Sequence, residues 1–129
     1  IEIPVSKQDS ILVLLEKFTT RSHCKIRKFA ELLGKLVSIC PATKYGWVYT
    51  KQLERAKFLA LKSCNGNFDE WMHIPLCVIE DLNWWRKKIR ISFCPLRNFP
   101  SDTVIFTDAS KTGWGAVCGN DKTHGHWND

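Results

Sequence analysis

The hydrophobic pattern of this chain changes period once, and the change falls on a proline-bracketed stretch, Cys94 to Ser101, containing Pro95 and Pro100. Before that stretch apolar residues recur at helical spacing; after it they follow the shorter period of strands. A chain that switches period in this way is confined to the α+β class, with amphipathic helices segregated from a small sheet. The expected organisation is a helical region over 1–94, a linker over 95–101 and a strand region over 102–129. At 129 residues this is one ordinary domain or two small ones, able to bury roughly two-thirds of the surface of the unfolded chain.

Four helices are expected. The first spans about 7–19, with Ser6 and Asp9 as a capping pair and Ile11, Leu14, Leu15 and Phe18 on one face. The second spans about 25–40, its stripe formed by Ile26, Phe29, Leu33, Leu36, Val37 and Cys40, and Pro41 ends it. Gly34 lies inside that helix at a cost of up to ~1 kcal/mol relative to alanine, and a close helix–helix crossing is the expected reason. The third spans about 47–63, with Tyr49, Leu53, Ala56 and Ala60 inward and Lys51, Gln52, Arg55 and Lys62 outward; Asn65-Gly66-Asn67 then breaks the pattern. The fourth starts near Pro75 and carries Val78, Ile79, Leu82, Trp85 and Ile89 inward. Trp84 and Trp85 diverge by about 100° on a helix, so one is expected in the core while the other covers the strand region or meets a further domain.

Strands are expected near 103–108, 113–118 and 123–128, forming a three-stranded antiparallel meander. Val104, Ile105 and Phe106 are apolar on both strand faces, so this segment expects cover on both sides. A meander of this size needs something to pack against.

Charge is uneven. Residues 21–62 hold ten Lys/Arg against Glu31 and Glu54, a local net of +8, while the residues before and after each net −1, giving the overall +6. Positive charge concentrated on helices is the electrostatic footprint of a phosphate-bearing partner; a solvated basic face is the plainer reading. Arg27, Lys28 and Lys35 on the second helix, with Lys44, Tyr45, Lys51 and Arg55 around the third, are the expected nucleic-acid contacts. No apolar run approaches the roughly 20 residues needed to cross a bilayer.

The six cysteines are irregularly spaced with no CxxC, and several fall on apolar stripes, so reduced thiols and an intracellular (cytoplasmic or nuclear) setting are expected. His73 with Cys77, and His124 with His126, have ligand-like spacings, but the two pairs lie far apart in sequence and a zinc site is not favoured. His124 and His126 are expected on one side of a strand.

Asp108 follows the apolar run Val104-Ile105-Phe106 and precedes a glycine-bearing turn, a position where a carboxylate is either a metal ligand or a turn-forming group. Two-metal phosphodiester hydrolysis requires several convergent carboxylates. After Asp108 only Asp121 and Asp129 follow, in a turn and at the end of the sequence.

Several segments, in order, carry a family resemblance: Leu32-Leu33-Gly34-Lys35-Leu36-Val37-Ser38, Pro41-Ala42, Tyr45-Gly46, Tyr49 through Lys57, Leu82-Asn83-Trp84-Trp85, and Thr107-Asp108-Ala109-Ser110 with Gly113-Trp114-Gly115-Ala116. Together they resemble the thumb and connection region of retrotransposon reverse transcriptases, nearest to DIRS-type or Ty3-like elements, running into the opening of a ribonuclease H-like fold. The resemblance implies that the helices grip an RNA–DNA or DNA duplex (the template–primer) and that Asp108 is the first Mg²⁺ ligand of the ribonuclease H site. It implies a polymerase palm before Ile1-Glu2-Ile3-Pro4, and further ribonuclease H elements with the remaining acidic ligands after the meander. The chain then reads as a polyprotein fragment with an incomplete site, inactive alone. The alternative is a domesticated or remnant module that binds nucleic acid or protein without catalysis; a third reading is an unrelated basic helical domain with a strand appendage.

Overall fold

Helices form where the apolar spacing is helical: α1 (Val5–Thr19), α2 (Ile26–Ile39), α3 (Lys51–Ser63) and α4 (Leu76–Lys88). The computed structural model describes residues 1–95 and 100–128, and the chain divides into two units, Ile1–Leu96 and Arg97–Asp129. The division falls in the linker expected over 95–101, of which residues 96–99 lie outside the described residues.

In the first unit α1 packs on α2 and α4, and α3 packs on α2 and α4, so each helix meets two others around one core. Ile11, Leu15, Phe29, Leu32, Leu36, Leu53, Val78, Leu82, Trp85 and Ile89 are fully enclosed there. The expected stripes turn toward the core, with Leu32 and Ile39 added on α2, while Leu14, Val37, Tyr49, Ala56, Ala60 and Ile79 are half-buried.

The helix starts differ from expectation. α1 begins after Pro4, whose carbonyl accepts the Lys7 and Gln8 amides, and it has no side-chain cap. Ser6 is inside the helix, and Asp9 instead pairs with Arg90 at 2.7 Å. The first amides of α2 are satisfied by distant backbone: Ile26 N–H donates to Glu70 O and Arg27 N–H to Phe68 O. That pairing continues a two-stranded ribbon that the sequence reading missed, β1 (His23–Lys25) against β2 (Trp71–His73), antiparallel. Cys24 and Met72 oppose each other and are buried, whereas the flanking residues face out. Strands of three residues give too few alternations to register as a period, which is why they escaped notice.

Between α2 and α3 the chain makes two 3₁₀ turns, Cys40–Ala42 and Val48–Thr50, in place of the single early helix start expected near 47. Tyr45 adopts φ +68°, and Gly46 follows against Trp85. A Cβ on Gly46 would stand 2.9 Å from the Trp85 ring and 3.2 Å from Thr43 Cβ and O, so a glycine is required. After α3, Asn65 (φ +54°) and Gly66 (φ +80°) are left-handed, and Gly66 N–H closes back on Leu61 O as a helix stop. Gly34, by contrast, faces open space, with nothing within 4 Å of an added Cβ. The close helix crossing expected there does not exist.

The second unit is a meander of β3 (Phe106–Ala109), β4 (Gly113–Cys118) and β5 (Asp121–His126), antiparallel in the order β3-β4-β5. β3 starts three residues later than expected and β5 two earlier; Thr103, Val104 and Ile105 precede the paired region. No described residue of this unit is buried, and Val104, Ile105 and Phe106 are largely exposed.

The two glycines predict opposite outcomes in urea melts. Gly34→Ala should stabilise the helical unit by about 0.5–1 kcal/mol, because alanine removes backbone entropy with no steric cost. Gly46→Ala should destabilise it by about 1–3 kcal/mol through overpacking against Trp85.

Candidate functional site

Of the basic residues expected to meet nucleic acid, Arg27, Lys28, Lys51 and Arg55 are exposed on α2 and α3 and Lys44 is exposed in the turn between them, and several are already paired. Arg27 Nε donates to Asp69 Oδ1 at 3.0 Å and Nη2 donates to Oδ2 at 3.2 Å, a fork-to-fork pair, and the guanidinium lies 5.8 Å from the Phe68 ring. The hydrogen bonds and charge of Arg27 hold the Asp69 carboxyl below the usual carboxylate range. Lys28 pairs with Glu31 and Lys51 with Glu54, each three residues on along the helix. Both pairs are solvent-exposed, so each is worth at most about 1 kcal/mol. Lys35 is half-buried by its position, one turn beyond Glu31 on α2.

Lys51, Arg55 and Lys62 fall on one face of α3, and all are exposed. Phe58, at 62% exposure, and Leu59, at 51%, stand exposed on the same helix between Arg55 and Lys62. The sequence reading did not single these two out; apolar residues placed off the inner stripe of an otherwise polar helix face were the available signal. Lys44 Nζ lies 5.1 Å from the Tyr45 ring, whose side chain is exposed. Tyr45 has a left-handed backbone and an exposed ring, and the next residue, Gly46, makes the close approach to Trp85.

The aromatic residues near this turn divide into two roles. Tyr45 and Trp47 are exposed. Tyr49 is half-buried and stacks on Trp84 with ring centroids 3.8 Å apart and planes 9° from parallel. Trp84 meets Trp85 edge-on at 5.2 Å, and the Trp85 Nε1–H donates to Tyr49 O at 3.1 Å. Trp85 is thus the core member of the tryptophan pair, and Trp84 covers Tyr49 within the helical unit.

Asp108 occupies the third position of the four-residue strand β3. Register places Asp108 opposite Gly115, which is opposite His124, so the three form one row across the sheet. Gly115 carries no side chain between the carboxylate and the imidazole. His126 shares that face two residues on, as expected for the His124/His126 pair. The Ala109 N–H donates to Asp108 Oδ1 at 2.9 Å. Ser110 shapes the following turn by accepting the Thr112 and Gly113 amides on its hydroxyl, and Ser110 O accepts the Trp127 indole N–H at 2.8 Å. On the adjoining row Trp114 lies over Gly125, where a Cβ would come within 2.9 Å of its Nε1. Thr107, Asp108, Ala109, Trp114 and Trp127 border an open depression of about 590 Å³, within the size range of small-ligand clefts.

Mg²⁺ prefers near-octahedral oxygen coordination, with protein carboxylates supplying part of the shell. Among the described residues no group of three or more His, Cys, Asp or Glu side chains is placed to hold a metal. Asp121 is the first residue of β5, opposite Cys118 rather than beside Asp108, and Asp129 lies outside the described residues. The residues present therefore do not by themselves fit the paired-ion site of phosphodiester hydrolysis. His73 stands opposite His23, fifty residues away in the chain, across the β1–β2 ribbon.

No protein-family model, curated protein or solved structure matches the chain. No helix among the described residues is long and apolar enough to cross a membrane.

All six cysteines are free. Burial pushes the Cys24 thiol up to about 11, against a smaller opposing effect of Arg21. Burial does the same to Cys40, also to about 11, with Glu54 adding to it and Lys51 opposing. Cys77 is exposed. Because the thiolate is the reactive species, an aromatic-disulfide titration of the native protein at pH 8 should modify Cys77 first and Cys24 and Cys40 last, and unfolding should release all six. Rapid native labelling of Cys24 or Cys40, located by peptide mapping, would contradict the packing described.

Proposed function

We propose that this chain is part of a retroelement reverse transcriptase–ribonuclease H, in which α2, α3 and the turn between them grip the template–primer duplex. In this reading Asp108 is the first acidic ligand of a ribonuclease H site whose other ligands come from elsewhere in the parent protein. The observation that carries the reading is the face of α3, where Lys51, Arg55 and Lys62 flank exposed Phe58 and Leu59. Cations suit a phosphate backbone, and exposed apolar groups suit the sugars and grooves beside it. The row Asp108-Gly115-His124 adds support, because a carboxylate beside a side-chain-free position leaves room for a phosphodiester to approach.

Alone, the chain is a binding unit rather than a nuclease, since one carboxylate cannot position two ions for in-line displacement. The partners are an RNA–DNA or DNA duplex, with the palm and the remaining ribonuclease H segments as neighbours in the parent protein. A non-catalytic module derived from such a protein would bind duplex in the same way. It differs in having no further acidic ligands with which Asp108 can cooperate.

Fluorescence anisotropy with a short labelled duplex tests the grip. Affinity should fall log-linearly with salt at a slope of about −0.9 per contacted phosphate on DNA, without sequence preference. Replacing Arg27, Lys28, Lys35, Lys44, Lys51 and Arg55 together by Ala should abolish binding. No binding at about 50 mM salt, or binding that survives these changes, refutes the grip.

Asp108 is tested separately. Residues 1–129 should not cleave an RNA–DNA hybrid in Mg²⁺, whereas a protein extended through the remaining ribonuclease H elements should, and Asp108→Asn should remove that cleavage. Asparagine keeps the size and loses the charge, so the far-ultraviolet dichroism should be unchanged. Full cleavage by the extended Asp108→Asn protein means that Asp108 is not a ligand.

A further inference from the structure

The two-stranded ribbon places His23 and His73 directly opposite each other, the one pair of imidazoles that the helical unit brings together. Their ring centroids are 5.1 Å apart, their planes cross at 61°, and both residues are solvent-exposed. Nothing in duplex binding requires such a pair. We propose that His23 and His73 form a two-histidine site for a divalent transition metal of the Zn²⁺, Ni²⁺ or Cu²⁺ type, with water completing the coordination.

The backbone on either side of the pair is fixed before any metal arrives. Cys24 and Met72, the next pair along, are buried in the core. On the other side Ile74, also buried, donates its N–H to Ser22 O at 2.8 Å. Side chains directly opposite on antiparallel strands have Cβ atoms about 4.5–5.5 Å apart. That separation lets two imidazoles turn one nitrogen each toward a shared ion at metal–nitrogen distances of about 2.0–2.1 Å.

Ser22 supplies the outer support that metal-binding histidines ordinarily have. Its Oγ lies 3.0 Å from His23 Nδ1. When Nδ1–H donates to that hydroxyl, the ring is held in the tautomer that leaves Nε2 unprotonated and free to ligate. Imidazole nitrogen favours late first-row divalent ions over Mg²⁺ or Ca²⁺, which sets the ligand class.

Among the described residues no third His, Cys, Asp or Glu joins the pair. Lys25 lies two residues along the same exposed face and repels a cation. The site is therefore open and exchangeable, weaker than a four-ligand structural zinc centre. Its physical consequence follows from its position: it ties the strand between α1 and α2 to the strand between α3 and α4, across fifty residues of chain. An ion that binds this folded pairing and not the unfolded chain raises stability with concentration.

The test uses the whole chain, reduced with a non-chelating phosphine, and Zn²⁺ or Ni²⁺ alone. Calorimetry should show one saturable site per chain, and the melting temperature should rise with metal concentration. His23→Asn and His73→Asn should each remove both effects while leaving the metal-free melt close to that of the parent, because both side chains are exposed. His124→Gln/His126→Gln and Cys77→Ser should leave them intact, which separates this pair from the other histidines and the exposed thiol. Ser22→Ala should weaken binding by roughly 10–100-fold, as loss of an outer partner does; an unchanged affinity there removes Ser22 from the site. Saturable binding that persists in the doubly substituted His23/His73 protein, or no binding by the parent chain, overturns the proposal.

Discussion

The indole of Trp85 is where the helical unit is held together. Its ring is fully enclosed, it packs against Gly46 and Trp84, and its N–H is satisfied by the Tyr49 carbonyl. A buried tryptophan contributes about 150–250 Å² of contact surface, and leaving its N–H unpaired in the core would cost about 1–3 kcal/mol. One side chain from α4 thereby fixes the irregular segment between α2 and α3. That segment must pass close over the ring, which requires a glycine, and the preceding residue takes a left-handed backbone. The same geometry that buries Trp85 behind Gly46 presents Tyr45 and Lys44 outward beside α3. Packing and the basic surface are two sides of one turn.

The ribbon β1–β2 performs a second kind of work. Helix starts usually take side-chain caps, yet α2 takes its partners from the backbone of residues 68 and 70. The ribbon buries Cys24 and Met72 inward and exposes a histidine from each strand outward. The ribbon thus closes a helix start and part of the core together, and the same register sets the two histidines opposite each other.

The meander is built differently. Its order comes from hydrogen-bonded register and the Ser110 turn, with Trp114 laid over Gly125, rather than from an enclosed core. Asp108 owes its position to that register alone. A sheet with no buried residue leaves its carboxylate and histidines accessible on one face and its apolar entry, Val104 to Phe106, accessible as well.

Much of this was legible in the sequence because periodicity reports burial directly. Ile11, Leu15, Phe29, Leu36, Leu53, Leu82 and Trp85 lie where helical spacing places them, and the strand order follows from two turns carrying serine and glycine. The localised charge of α2 and α3 is likewise a property of composition. Contacts between residues distant in the chain were not legible. Nothing in the neighbourhood of His23 names His73 as its partner, Asp9 does not announce Arg90, and Gly34 and Gly46 look alike as letters although one faces open space and the other a tryptophan ring. Local spacing determined which residues turn inward, since the backbone period is set within a few residues. Which inward faces meet, and which outward side chains become neighbours, was decided only when the elements packed, because that depends on directions the chain acquires over fifty residues rather than five.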